Sequence, residues 1–163
     1  MNRLNIVYNI VINTFAAIVL ALVHNDTRKT TERNDFGNKM FKNIVRVTFL
    51  MLFFDSLGRF DGNLRSFFPL ANGVGNLFLF SSVATLPSVW YLYAHFQIFE
   101  DEQKTSKLKP IFIIINIINI IIVLGSQKFG WYYTIDANNI YQRGPFYIVS
   151  NFITISMLVA GFI

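Results

Sequence analysis

Asp55 and Arg59 stand four residues apart in FFDSLGRFDG, a segment that closes an apolar stretch, with Asp61 two residues further on. On a helix, residues i and i+4 share a face, so this carboxylate and guanidinium can pair. In a low-dielectric setting the pair would be held charged and ordered. A second polar group lies in GWYYTIDANNIYQRGPFYIVS, where Asp136 and Arg143 stand among Trp131, Tyr133 and Tyr141. Asp55, Arg59, Trp131, Tyr133, Asp136, Tyr141 and Arg143 therefore form a candidate ligand-binding set, with charges to orient a ligand and rings to wall it in. Each half also has a plainer reading. Asp55–Arg59 can be a salt bridge that closes a helix bundle, and the aromatic segment can be an interfacial anchor. Asp55 has Arg143 as its other plausible partner.

Other chemistry is thin. The chain has no cysteine, and its histidines, His24 and His95, have no partner at metal-ligand spacing, so neither a metal nor a cofactor is expected. There is no phosphate-cradling glycine loop and no zinc helix motif. No Ser–His–Asp set can be assembled, and the chain is not expected to be an enzyme.

The elements that must position the candidate residues follow from composition. The 163 residues are 53% hydrophobic and only 14% charged, against roughly 25% charged in soluble domains. Mean hydropathy is +0.45. Runs of about 20 predominantly apolar residues recur. The expected fold is all-α, a multi-pass transmembrane helical bundle of five spans with a short extracytoplasmic β-hairpin, forming one domain over residues 1–163. The spans are expected at about 4–23, 44–60, 70–98, 111–128 and 146–163. Between them lie the polar loops His24–Asn43 and Glu100–Pro110, with Pro110 in the first turn of the fourth helix.

Asn5, Asn9 and Asn13 are spaced i, i+4 and form one polar stripe on the first span, read as a helix-packing seam or a solute path. Pro87 should kink the third span, with Ser81, Ser82, Thr85 and Ser88 near enough to re-satisfy the freed carbonyls. In YYTIDANNIYQRGP, short strands around Tyr133, Ile135 and Ile140 flank an Asn138-Asn139 reversal. The hairpin is expected on the outer membrane surface, with Trp131, Tyr132 and Tyr141 at headgroup level.

Charge sets the orientation. The formal net charge is +5, but Lys and Arg gather in short loops and form no single basic face, which argues against nucleic acid. Arg28, Lys29, Arg33, Lys39, Lys42, Lys104, Lys107 and Lys109 fall on one side. Arg3, Arg59, Arg65, Lys128 and Arg143 fall on the other. The richer side is read as cytoplasmic, with the N-terminus outside. No polar flank or aromatic anchor follows the last span, so the chain is expected to be cropped, with further spans and an output domain beyond it; the alternative reading is a naturally short five-span protein.

FGWYYTIDANNIYQRGPFYIVS, FFDSLGRFDG and LPSVWYLYAHFQIFEDEQ together resemble multi-pass N-terminal sensor regions of bacterial signalling proteins. The likeness is to the roughly seven-helix region before GGDEF-type diguanylate cyclases and to the input region of some histidine kinases. Tyr133, Ile135, Asp136, Asn138, Asn139, Tyr141, Arg143, Gly144 and Pro145 carry it. The resemblance implies a sensory module in the bacterial cell membrane, with the lipid bilayer and an unknown small-molecule or peptide ligand as partners. It also implies a cytoplasmic output domain and possible homodimerisation. This sequence departs from the pattern in holding five spans and no GGDEF segment. The alternative function is a small transporter or a structural membrane subunit.

Overall fold

The computed structural model describes residues 3–30, 36–65 and 67–160. Arg33 and the last three residues of the fifth expected span lie outside the described residues, as do the side chains of Asn5, Arg28 and Lys29. The chain is mostly helical: α1 (Arg3–Thr30), α2 (Phe36–Leu57), α3 (Phe68–Ser82), α4 (Thr85–Phe99), α5 (Glu102–Phe129), the strands β1 (Tyr133–Ile135) and β2 (Tyr141–Arg143), then α6 (Tyr147–Ala160). Among the described residues, three stretches are long and apolar enough to cross a membrane: Ile6–Asp26 in α1, Phe68–Phe99 across α3 and α4, and α5. Two expected spans are not among them: the fifth, where α6 is an apolar helix of 14 residues, and the second, α2. α2 carries Lys39, Lys42, Arg46 and Asp55, and it packs against α1, α3 and α4, so it presents less of its surface outward.

Both expected polar loops are shorter than their composition suggested. α1 continues through the polar residues to Thr30, and α2 already begins at Phe36. α5 starts at Glu102 because Asp101 caps it, its carboxylate accepting from the Lys104 N–H at 2.9 Å. That hydrogen bond holds the Asp101 carboxyl below its ordinary pKa. Pro110 therefore lies inside α5 and not in its first turn. Asp101 supplied the stronger start signal. At the other end Gly130, at φ 65°, adopts the left-handed conformation that stops α5, and its N–H bonds the Ser126 carbonyl at 2.8 Å.

The expected kink at Pro87 is an interruption of the helical hydrogen-bond ladder between α3 and α4 at Val83–Ala84, both of which keep right-handed helical dihedrals. Pro87 lacks the N–H that would reach Val83 O, and Thr154 Oγ1 of α6 approaches that carbonyl instead, at 3.5 Å. Asn119 of α5 donates to Phe80 O at 2.9 Å and to Ser81 O at 3.2 Å. Ser81, Ser82 and Ser88 bond carbonyls four residues back in the chain. Thus the carbonyls around the break are served by Ser88, which reaches Ala84 O at 2.6 Å, and also by Asn119 and Thr154 from other helices.

The packing is inverted relative to a water-soluble domain. Asn72, Asn76, Ser88, Thr105, Asn119, Ser126, Asn139 and Ser150 are buried, while Phe15, Leu22, Ile114, Ile121, Ile148 and Phe152 are exposed. Water would penalise such an apolar exterior. Several of the buried amides and hydroxyls hydrogen-bond between elements, as small polar residues do where the surroundings are apolar. Thr85 donates to Asn116 Oδ1 at 2.6 Å, and Asn116 Nδ2 donates to Ser88 Oγ at 2.9 Å. α2 and α3 approach closely at Gly75, where a Cβ would stand 2.8 Å from the Leu57 carbonyl carbon and 2.8 Å from Phe54 O.

Candidate functional site

β1 and β2 form an antiparallel hairpin with Tyr133 opposite Arg143 and Ile135 opposite Tyr141. Its turn is built by Asp136, whose carboxylate accepts from the N–H groups of Asn138 and Ile140, both at 2.9 Å. Asn139 then takes the left-handed conformation at φ 59°. The hairpin and Asn-Asn reversal read from the sequence are both present.

The hairpin does not lie flat on the bundle. Tyr132 and Tyr133 are buried, and with Phe80 and Val123 they form the hydrophobic core. The Phe80 and Tyr133 rings stack at 5.0 Å, and Tyr133 stacks in turn on Tyr141 at 5.9 Å. Tyr132, expected at a surface, is fully enclosed; its N–H bonds Ser126 Oγ, and its hydroxyl lies 3.4 Å from Asn119 Oδ1. The α3–α5 groove gives these rings more contact than any surface could.

Asn139 fixes the hairpin tip to the rest of the fold. Its Nδ2 donates to Phe60 O at 2.8 Å and Asn63 O at 2.9 Å, both in the α2–α3 connection. Its Oδ1 accepts from Asn72 Nδ2 at 2.8 Å, and its backbone carbonyl accepts from Gly62 N at 2.7 Å. Asn72 Oδ1 in turn accepts from Asn76 Nδ2 at 2.7 Å, giving a buried amide chain from α3 to the turn. Asp61 completes the clamp by accepting from Tyr141 N.

Beside this clamp lies a partly open cavity of about 290 Å³. Asp55 of α2, with Gly58, Arg59 and Asp61 of the turn that follows it, forms one side. Asn76, Leu79 and Phe80 of α3 form the floor, and Tyr141, Arg143 and Tyr147 close it from the hairpin and α6. Of the seven residues expected to bind a ligand, Asp55, Arg59, Tyr141 and Arg143 meet here. Tyr133 stands one ring behind Tyr141 and Phe80. Trp131 and Asp136 lie elsewhere: the Trp131 ring packs on Gly125 and stacks on Phe129 at 5.1 Å, and the Asp136 carboxylate is spent on the turn.

Within the cavity Asp55 accepts from Arg59 at 3.0 Å and, through its other oxygen, from Asn13 Nδ2 at 2.8 Å. Asn13 also reaches Ser56 Oγ at 3.1 Å, so this member of the asparagine stripe joins α1 to α2. Asp55 and Arg143 form no ion pair; the Arg143 guanidinium lies 4.6 Å over the Tyr147 ring. Burial pushes the Tyr141 hydroxyl up to about 12, with the neighbouring Tyr147 adding to the shift and Arg143 opposing it. Tyr141 thus stays a neutral donor and acceptor at the cavity wall. Asp61, Asn76 and Tyr147 were not singled out from the sequence. Asp61 follows Arg59 closely enough to have been included, but Asn76 looks like any asparagine in an apolar helix. No protein-family model, curated protein or solved structure matches the chain.

Proposed function

We propose that the chain is a multi-pass membrane sensory module whose hairpin end faces the outside of a bacterial cell. It binds a small polar ligand or short peptide in the cavity between Arg59 and the hairpin. One observation carries this reading: charged residues more than eighty positions apart, Asp55 and Arg59 at the end of α2 and in its following turn and Arg143 on β2, converge with Tyr141 on a single cavity. Ionisable groups gathered in an otherwise apolar helical protein are candidates for function before structure.

The cavity is also well placed to send a signal. Phe80 lines it and stands three residues before the α3–α4 break, so a ligand that moves Phe80 acts on the end of a discontinuous helix. α4 leads from there toward the basic end of the protein. A ligand that favours one of two α3–α4 packings would pass its binding inward to a cytoplasmic output domain, such as a diguanylate cyclase, in the same protein, with pairing of two copies as the working form. Transport has less support. The mid-depth groups Thr85, Ser88, Asn116 and Asn119 bond one another or backbone carbonyls, and there is no carboxylate or lysine among them.

The test is a thermal-shift screen of the chain in lipid nanodiscs against amino acids, dicarboxylates and di- and tripeptides. A compound that stabilises the wild type is expected to bind Arg143→Gln at least about tenfold more weakly, the loss of one charge-assisted contact. A compound acting equally on wild type, Arg143→Gln and Asp55→Asn, or an empty screen, would overturn the cavity assignment.

A further inference from the structure

A second cavity, of about 590 Å³, opens between α2, α4 and α5 near the opposite end of the protein. Its walls are mostly apolar, with Met40 of α2, Val89 and Leu92 of α4, and Ile113, Ile117 and Ile120 of α5. Two lysines, Lys39 and Lys109, stand at one end only. Lys109 is steered there by Phe36, over whose ring its Nζ lies at 4.7 Å. Among the described residues neither lysine has a carboxylate partner, whereas Lys104 nearby is paired with Asp101 at 3.5 Å. The α5 wall from Lys109 to Ile120 runs about 16 Å at the helical rise. That is a long, mostly oily slot headed by two cations that no carboxylate among the described residues neutralises.

We infer that this groove holds one anionic phospholipid, its phosphate between Lys39 and Lys109 and an acyl chain along α5. Charge complementarity selects this occupant. A second copy of the chain packing through its apolar exterior would fill the slot but leave both lysines unneutralised. A zwitterionic lipid would fill it equally well and gain less from the lysine pair. Basic pockets between membrane helices recognise anionic headgroups by this combination of cation and groove. The floor of the groove is α4, the element beyond the α3–α4 break, and its Thr85 and Ser88 reach across to Asn116 of α5. The bound lipid therefore biases the packing of the helix through which the outer cavity would signal. Its presence does not depend on that cavity binding anything.

Native mass spectrometry of the full chain, titrated with phosphatidylglycerol or phosphatidylcholine of the same acyl chains, tests the assignment. The wild type is expected to retain phosphatidylglycerol at least about tenfold better. Lys39→Gln with Lys109→Gln should lose that preference, Lys39→Arg with Lys109→Arg should keep it, and Lys104→Gln with Lys107→Gln should leave it intact. Ile113→Trp, which fills the slot, should weaken both lipids. Equal retention of the two lipids by the wild type would overturn the proposal, as would equal losses from the two glutamine pairs. A dimer that neither lipid displaces would assign the groove to a second copy.

Discussion

Asn139 illustrates how one short side chain can set a site it does not touch. No other side chain of its size both tolerates φ 59° and offers a donor pair and an acceptor. With it, the hairpin tip is tied to Phe60, Asn63 and Asn72, and Tyr141 and Arg143 are brought over α2. Asn139→Ala removes three side-chain hydrogen bonds at about 1 kcal/mol each, so a loss of about 3 kcal/mol is expected in detergent unfolding. Asn139→Asp keeps the shape but faces two carbonyls with an acceptor, and should fare no better. A loss below roughly 1 kcal/mol for both variants would mean that the hairpin is held by its rings alone. The Asn-Asn pair was legible as a turn, because turn chemistry is local. Its partners were not, because Phe60, Asn63 and Asn72 are distant in the chain.

Among the elements, the α2–α3 crossing decides how far the cavity can open. Gly75 sits against the α2 backbone, whereas a Cβ on Gly73 would have nothing within 4 Å. Gly75→Ala must push α2 and α3 apart and is expected to destabilise by about 2 kcal/mol. Gly73→Ala, on the same helix, should be neutral or stabilise by roughly 0.5–1 kcal/mol through helix propensity. Unfolding midpoints of the two variants check this, and equal effects would remove the tight crossing. The sequence located the interruption near Pro87, since a missing donor is visible in one residue. It did not locate Asn119 and Thr154, whose roles depend on which helices become neighbours. Helix ends were misjudged where polar composition suggested loops: α1 and α5 carry their helices through charged residues because a cap or a continuing turn, and not hydropathy, ends a helix.

At the scale of the whole molecule, the basic loops share one end. Phe36, opening α2, meets Phe96 near the end of α4 at 5.0 Å, and Lys109 covers it. The hairpin and the α2–α3 connection, joined through Asn139, share the other. Charge bias between the ends orients membrane helices, so the hairpin end should face outward. The absence of cysteine makes the test clean. In intact cells, Asn138→Cys is expected to react with a membrane-impermeant maleimide and Ser106→Cys to be protected. The reverse pattern would invert the orientation and move the cavity to the cytoplasmic side.

By itself, the sequence determined the helical class, the long apolar stretches, the hairpin and how Lys and Arg are shared among the loops. All of these depend on composition or on residues a few positions apart. Tertiary structure decided the rest: that Tyr132 and Tyr133 become core, that Asp136 and Trp131 leave the candidate site, and that Asp61, Asn76 and Tyr147 enter it. Those assignments turn on contacts across the bundle, where the partner of a polar group in apolar surroundings is fixed by which helices meet and not by its neighbours in the chain.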